Sequence, residues 1–388
     1  MGSHRPLVML IALAVMVAGV AGFNYAVNPF GAWRIDLVSP IYRTTEPTRV
    51  AIPYLIRIAE PRVLIIGDSR AELGIPIAQG YRDGYFNAAM LGARLNELSA
   101  LLDAALRNPK LRIIVWQLDF FSFGKLSESI YDAPTLARLS QPRSDIAGDT
   151  LLSFDALNSS IDLLERSRRG IGALQIYAVA PLPWPPAVIR RETPEPSIKP
   201  FLGSDAGVVW YLAGLTASLY QPFECSARQI ALFRQMVARI HHAGVALVIF
   251  LPPLSEYELE VIRLAGKWDD FMRFKAAVAA IAPYADFSGY NSIARADFLY
   301  RDPMHFEPAL GWTITRRLLD QGCSQCGPVS DLAAESETDW NLQNVAANLI
   351  AARSAMVAAT SVPSKYSTLA GMALEQYAKH PPPPARDQ

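Results

Sequence analysis

The chain has 388 residues, 51% of them hydrophobic, and its 36 Lys and Arg balance its 36 Asp and Glu, giving zero formal net charge. That length and apolar content suit one large folded core with appendages and exclude a wholly disordered chain. With no excess of positive charge, no basic surface that would draw nucleic acid is expected.

The first element is a run from Leu7 to Phe23 in which every residue is apolar or Gly, preceded by Arg5 and Pro6 and followed by Asn24 and Tyr25. About 20 such residues cross a hydrocarbon core, and Pro6 suits a first helical turn. A cleaved signal peptide is the rival reading, with Ala18-Gly19-Val20-Ala21-Gly22 as the cleavage region. The apolar stretch of a signal is usually only about 7–15 residues, shorter than this run. A retained single-pass anchor over residues 1–28 is therefore preferred. By the positive-inside tendency Arg5 stays in the cytoplasm, which places the protein in an inner membrane with its main domain in the periplasm or outside the cell. Met1-Gly2-Ser3-His4 looks like the start of an expression tag but lacks further histidines, and is treated as native.

Asn28-Pro29-Phe30-Gly31 ends the helix, and residues 29–60 read as a connector mixing Pro, Thr and Arg with short apolar stretches. From there, short β-branched or apolar runs alternate with helical patterns. Arg62 to Ile66, Tyr85 to Asn87, Ile113 to Leu118 and Val245 to Leu251 read as strands, with Asp286-Phe287 as a further one. Continuously apolar strands are those buried on both faces. Helices are predicted around Leu95 to Leu106, with an apolar stripe, and from Pro308 to Leu319. This alternation predicts an α/β domain over 61–326, a flavodoxin-like parallel sheet with helices on both faces. An insertion at about 124–221 holds a helix from Asp155 to Arg169 and a Pro-rich stretch from Pro181 to Pro200, and is a candidate cap over a cleft. Residues 327–388 form a C-terminal extension, with an amphipathic helix expected within 330–360 and a disordered Pro-rich tail.

Three cysteines, Cys225, Cys323 and Cys326, are too few for a disulfide scaffold, and a structural bridge between Cys323 and Cys326 is preferred to a zinc site. The pair His241-His242 is read as positive charge at a helix end, not as a metal site. Trp and Tyr residues between Trp184 and Tyr220 could stack on sugar, although such residues more often pack cores.

Chemistry concentrates in two places. Ser69 follows a buried strand, at the carboxyl edge of a parallel sheet where such folds bind ligands. Asp302 precedes His305 by three residues in a polar loop, so a carboxylate can fix one ring nitrogen while the other faces outward. The bland alternatives are that Ser69 merely caps the following helix, and that Asp302 and His305 are ordinary loop residues.

Taken in order, Gly67-Asp68-Ser69, Gly92 within Asn87-Ala88-Ala89-Met90-Leu91-Gly92, and Asp302-Pro303-Met304-His305 resemble the motif blocks of the SGNH, or GDSL-type, esterase and acyltransferase superfamily. The similarity spans roughly residues 60–125 and 243–320. It implies Ser69 as nucleophile, His305 as base, Asp302 as its orienting carboxylate, and the backbone N–H groups of Ser69 and Gly92 as oxyanion donors, with no metal or cofactor. One block departs from the pattern: Gln117-Leu118-Asp119 puts Leu118 where an Asn amide is expected. Loss of such a donor elsewhere costs about 10²–10³ in rate. Arg70 and Asn87 are candidates to replace it or to bind substrate. The anchor and the sequence Leu118-Asp119-Phe120-Phe121 are closer to the envelope branch resembling alginate O-acetyltransferase-like proteins. That likeness implies an acyl-ester substrate on a cell-envelope or secreted carbohydrate and a membrane-bound O-acyltransferase as donor partner. The competing expectation is a scaffold subunit that kept the fold and lost turnover.

Overall fold

The computed structural model describes residues 5–33, 35, 37–39, 52–57, 59–75, 84–128, 133–140, 146–170, 205–291, 293–322 and 365–379. The Pro-rich stretch, Cys323, Cys326, the helix expected within 330–360 and the terminal tail lie outside the described residues.

The centre is one parallel sheet of five strands: β1 (Val63–Ile66), β2 (Tyr85–Asn87), β3 (Ile113–Gln117), β4 (Ala246–Leu251) and β5 (Ala285–Asp286). Their spatial order is β2-β1-β3-β4-β5, every neighbouring pair being parallel. Because side chains alternate along a strand, β1 sends Leu64 and Ile66 to one face and Val63 and Ile65 to the other. β3 does the same with Ile114 and Trp116 against Ile113 and Val115. All these residues are buried, so both faces are covered, which explains why the strands read as unbroken apolar runs.

The helices, in chain order, are α1 (Arg5–Val27), α2 (Ser69–Gly74), α3 (Leu95–Ala105), α4 (Ala133–Ser140), α5 (Ile146–Leu151), α6 (Phe154–Arg169), α7 (Asp205–Leu215), α8 (Ala227–His242), α9 (Glu256–Leu264), α10 (Trp268–Ala279), α11 (Pro308–Gly322) and α12 (Lys365–Lys379). Residues of α3, α7, α8, α9, α10 and α12 share the larger core with Leu64, Trp116 and Ile249. The opposite face is closed by α2 and α11 through Ala71, Leu310, Ile314 and Leu318.

Helices α2 and α11 approach unusually closely. A Cβ on Gly311 would fall on the backbone carbonyl of Gly74, and one on Gly74 would fall on the Phe306 ring. Two glycines thus permit a backbone contact between the helix that begins with Ser69 and the helix that follows His305.

The N-terminal helix is long and apolar enough to cross a membrane: Pro6–Val27 spans 22 residues with mean hydropathy 2.5, and its most apolar window is 0% buried. Among the described residues, it is the end of this helix that packs on the rest of the chain. Asn24, 0% exposed, donates to Leu151 O at 2.7 Å and accepts from Ser160 Oγ at 2.7 Å. The connector is also built in, since Leu55 and Ile56 join the larger core and Tyr54 bonds Asp149 of α5. At the other end, α12 packs on α7 and α9, with Tyr366 Oη donating to Arg295 O at 3.0 Å.

Candidate active site

Ser69 opens α2 at the carboxyl end of β1. The residue that caps this helix is Asp68, whose Oδ1 accepts the Arg70 N–H at 2.9 Å. The capping reading of Ser69 therefore fails, and its hydroxyl is left for another partner. That partner is His305, whose Nε2 lies 2.9 Å from Ser69 Oγ across a sequence separation of 236 residues. On the other side of the ring, Nδ1 lies 2.8 Å from Asp302 Oδ2 and 3.0 Å from Oδ1. Asp302 and Ser69 are buried, and the His305 side chain is 12% exposed.

Asp302 is held from several sides. Its Oδ1 accepts the backbone N–H of Met304 at 2.8 Å and of His305 at 2.9 Å, an Asx-type turn that sets the loop. The Tyr211 hydroxyl, from α7 of the insertion, donates to the same oxygen at 3.0 Å. Burial pushes the Asp302 carboxyl up, but the His305 charge and hydrogen bond and the two backbone donors outweigh it and hold it at about 2. Asp302 is thus an acceptor at neutral pH, and it fixes His305 with Nδ1 protonated and Nε2 facing Ser69. Burial, then the Asp302 charge, pushes the Tyr211 hydroxyl upward, so it stays a neutral donor.

Beneath the triad lies an ion network. Arg70 is 0% exposed and grips Glu258 with both terminal nitrogens, Nη1 to Oε2 at 2.9 Å and Nη2 to Oε1 at 2.5 Å. Its Nε pairs with Asp119, and Nη1 also donates to Met304 O at 2.5 Å. Burial alone draws the guanidinium toward neutrality, but Asp119 and Glu258 more than reverse this, so Arg70 is a fixed cation. Burial and the neighbouring Asp119 charge push the Asp68 carboxyl well above the usual range. Tyr220, brought in by a π-turn over Thr216–Tyr220 at the end of α7, bonds Glu258. Ser255 caps α9 at Glu258 N and donates to Pro303 O at 2.5 Å. Arg70 and Ser255 therefore clamp the carbonyls of the two residues between Asp302 and His305.

These contacts correct two expectations. Arg70 is not placed to bind substrate or an oxyanion, because three buried protein groups occupy its guanidinium. Asn87 is occupied too: Nδ2 donates to Ala71 O and Ile75 O, both at 3.0 Å, and Oδ1 accepts Ala89 N–H at 3.0 Å, so the side chain fastens the end of α2 to β2. Leu118 is buried, and its backbone N–H donates to Phe250 O at 2.9 Å.

The loop that carries Gly92 is tied to the Ser69 turn two residues earlier, where Met90 N–H donates to Gly67 O at 3.1 Å. Its φ of +63° is a left-handed conformation that favours glycine, and a Cβ there would meet nothing within 4 Å. Gly67 is needed for a different reason: a Cβ would come 2.6 Å from Gln117 Oε1, the acceptor of the Asp68 N–H at 3.0 Å. Among the described residues, no group of three or more His, Cys, Asp or Glu side chains is arranged to hold a metal.

The sequence offered no signal for Glu258, and for Tyr211 only its place among the aromatic residues read as a sugar-stacking surface, whereas its hydroxyl bonds Asp302. Each is an ordinary helical residue until the fold brings it to the site. No family model matches the chain, and no curated protein matches it.

Proposed function

We propose that the chain is an SGNH-like, flavodoxin-like α/β enzyme, an extracytoplasmic serine-dependent acyl-ester hydrolase or O-acyltransferase. The observation that carries this reading is the unbroken relay from Asp302 through His305 to Ser69 Oγ, at 2.8 Å and 2.9 Å. The strand order, matching flavodoxin-like sheets, and the site's place at the carboxyl edge of β1 are in keeping with it.

Ser69 Oγ attacks an ester carbonyl as His305 Nε2 takes its proton, and Asp302 stabilises the resulting imidazolium. The backbone N–H groups of Ser69 and Gly92 receive the oxyanion. Collapse of the tetrahedral adduct leaves acyl-Ser69, and the departing alkoxide takes the proton from His305. Water or an acceptor hydroxyl then gives its proton to His305 and receives the acyl group, regenerating Ser69. The first course is hydrolysis and the second transfer. The resemblance to envelope O-acetyltransferase-like proteins, together with the anchor, supports an envelope or secreted carbohydrate, as the acylated substrate in hydrolysis or as the acceptor in transfer, where a membrane-bound O-acyltransferase supplies the acyl group. Asp302, Arg70 and Ser255 are positioning residues in this scheme.

A second reading, a scaffold without turnover, is favoured by Leu118 and by the engagement of Arg70 and Asn87, which leave no side-chain oxyanion donor at these positions. A fluorophosphonate probe separates the two. The enzyme reading predicts labelling of the full chain that vanishes in Ser69→Ala and falls in His305→Ala. A folded wild-type chain that resists the probe supports the scaffold. Topology has its own test: a periplasm-dependent reporter fused after residue 330 is active if the domain lies outside the cytoplasm.

A further inference from the structure

Helix α6 has two apolar stripes. Ala156, Ser160 and Leu163 are buried, and Leu163 packs with Phe23, Val27 and Val38 at the end of α1. Phe154, Leu157, Ile161 and Leu164 form a second stripe at the three- and four-residue spacing of a single helical face. Three of its four residues are exposed, Phe154 by 75%, Ile161 by 51% and Leu164 by 37%, while Leu157 is half-buried. Leu152, just before the helix, is 49% exposed. Asp155, Asn158, Asp162, Glu165 and Arg166 fall on the remaining arc, and Arg168 continues the apolar stripe one turn beyond Leu164.

The level at which α6 docks gives this face its meaning. The 22 residues of the apolar span measure about 33 Å at 1.5 Å per residue, close to the roughly 30 Å of a hydrocarbon core. The docking contacts, through Phe23, Asn24 and Val27, fall in the last turns of that span. The buried Asn24 has both its amide groups paired, as a polar side chain at that depth requires. Tyr25, 41% exposed, packs its ring 5.6 Å from that of Trp33, an aromatic pair at the same level. An apolar stripe beside the anchor's exit, flanked by a charged arc and ended by an arginine, fits the boundary between headgroups and acyl chains. Interfacial helices sink about 5–10 Å into that boundary.

We infer that α6 is a second membrane contact, an interfacial helix whose Phe154, Ile161 and Leu164 insert into the bilayer that α1 crosses, so that the domain cannot swivel on its anchor. The occupant of the exposed stripe is lipid. This rests on the reading of α1 as a retained membrane span, and the test separates the two.

The full-length protein, with Cys225, Cys323 and Cys326 replaced by Ser, receives single cysteines for bimane labelling: Ile161→Cys and Leu164→Cys on the stripe, Asn158→Cys and Asp162→Cys on the polar arc, and Val15→Cys in α1. Far-UV circular dichroism confirms that each variant folds. In nanodiscs of phosphatidylethanolamine and phosphatidylglycerol, lipids carrying a nitroxide near the headgroup quench the two stripe sites severalfold more than the polar sites. Iodide in the buffer gives the reverse order. Stripe sites quenched by iodide as strongly as the polar sites, with Val15→Cys still shielded from it, overturn the inference and leave the anchor intact. Stripe sites shielded from both quenchers overturn it in favour of a protein partner or a second copy. Iodide quenching at Val15→Cys defeats the anchor reading and the inference together.

Discussion

Replacing Arg70 by Met keeps the side chain's bulk and removes its charge. It leaves Glu258 Oε2, Asp119 Oδ2 and the Met304 carbonyl without their Arg70 donor, around a residue that is 0% exposed, while the Tyr220 hydroxyl still bonds Glu258 Oε1. Removing one partner of a buried pair costs about 3–5 kcal/mol, and here one cation serves two carboxylates. Burial already raises the Glu258 carboxyl, although Arg70 opposes it, so protonation of Glu258 in the variant absorbs part of the penalty. The expected net loss is about 4 kcal/mol, a large share of a stability of roughly 5–15 kcal/mol. Arg70→Lys keeps the charge but not the fork, and falls between. Replacing Arg70, Glu258 and Asp119 together by apolar residues recovers much of the loss, because no uncompensated charge remains. Urea denaturation in detergent, followed by tryptophan fluorescence, measures all four proteins. A loss in Arg70→Met below about 1 kcal/mol refutes the assignment of Arg70 as the buried keystone beneath the His305 loop.

Three further outcomes follow from the same geometry. Tyr211→Phe removes one donor from Asp302 while two backbone N–H groups and His305 remain, so the rate of probe labelling falls roughly ten-fold, about 1.4 kcal/mol. The acid titration of Asp302 moves upward in that variant, which a merely structural role for Tyr211 does not predict. Asp302 itself is depressed from 3.8 to about 2, so its stabilisation is present above about pH 4 and is lost as pH falls through about 2. That contribution is about 2 kcal/mol, and Asp302→Asn removes it from the pH dependence of the urea midpoint. Gly311→Ala forces α11 off α2, destabilising the fold by at least about 1–3 kcal/mol. Since a 1 Å misplacement of reacting groups costs about 10²-fold, labelling of Ser69 falls at least that far in the folded fraction.

The sheet was legible because strands buried on both faces must be apolar throughout, and β2 runs over the expected Tyr85–Asn87. Ser69, Asp302 and His305 stood out in the sequence through the order of their motif blocks and not through idle side chains, since Asp302 also accepts the Met304 and His305 N–H groups of its own turn. The reading of Ser69 as the helix cap gives way to Asp68, whose Oδ1 accepts the Arg70 N–H. The rest depended on long-range contacts that no local pattern announces. Arg70 and Asn87 sit among the site motifs in the sequence, yet Arg70 turns toward Glu258, 188 residues away, and Asn87 toward the end of α2. Tyr211 reaches Asp302 across 91 residues from a stretch read as a cap with a sugar-stacking surface. Gly74 and Gly311 look like unremarkable helix glycines until the two backbones meet.

The central claim, that Ser69 carries an acyl group during turnover, is tested most directly by mass spectrometry of peptides from the full-length protein quenched in acid after brief exposure to an activated acetyl ester. One acetyl group is expected on the peptide containing Ser69, accumulating in the wild type and absent from Ser69→Ala and His305→Ala. Hydrolysis of the ester with no acetyl group trapped on Ser69, or equal acetylation of this peptide in His305→Ala, contradicts it.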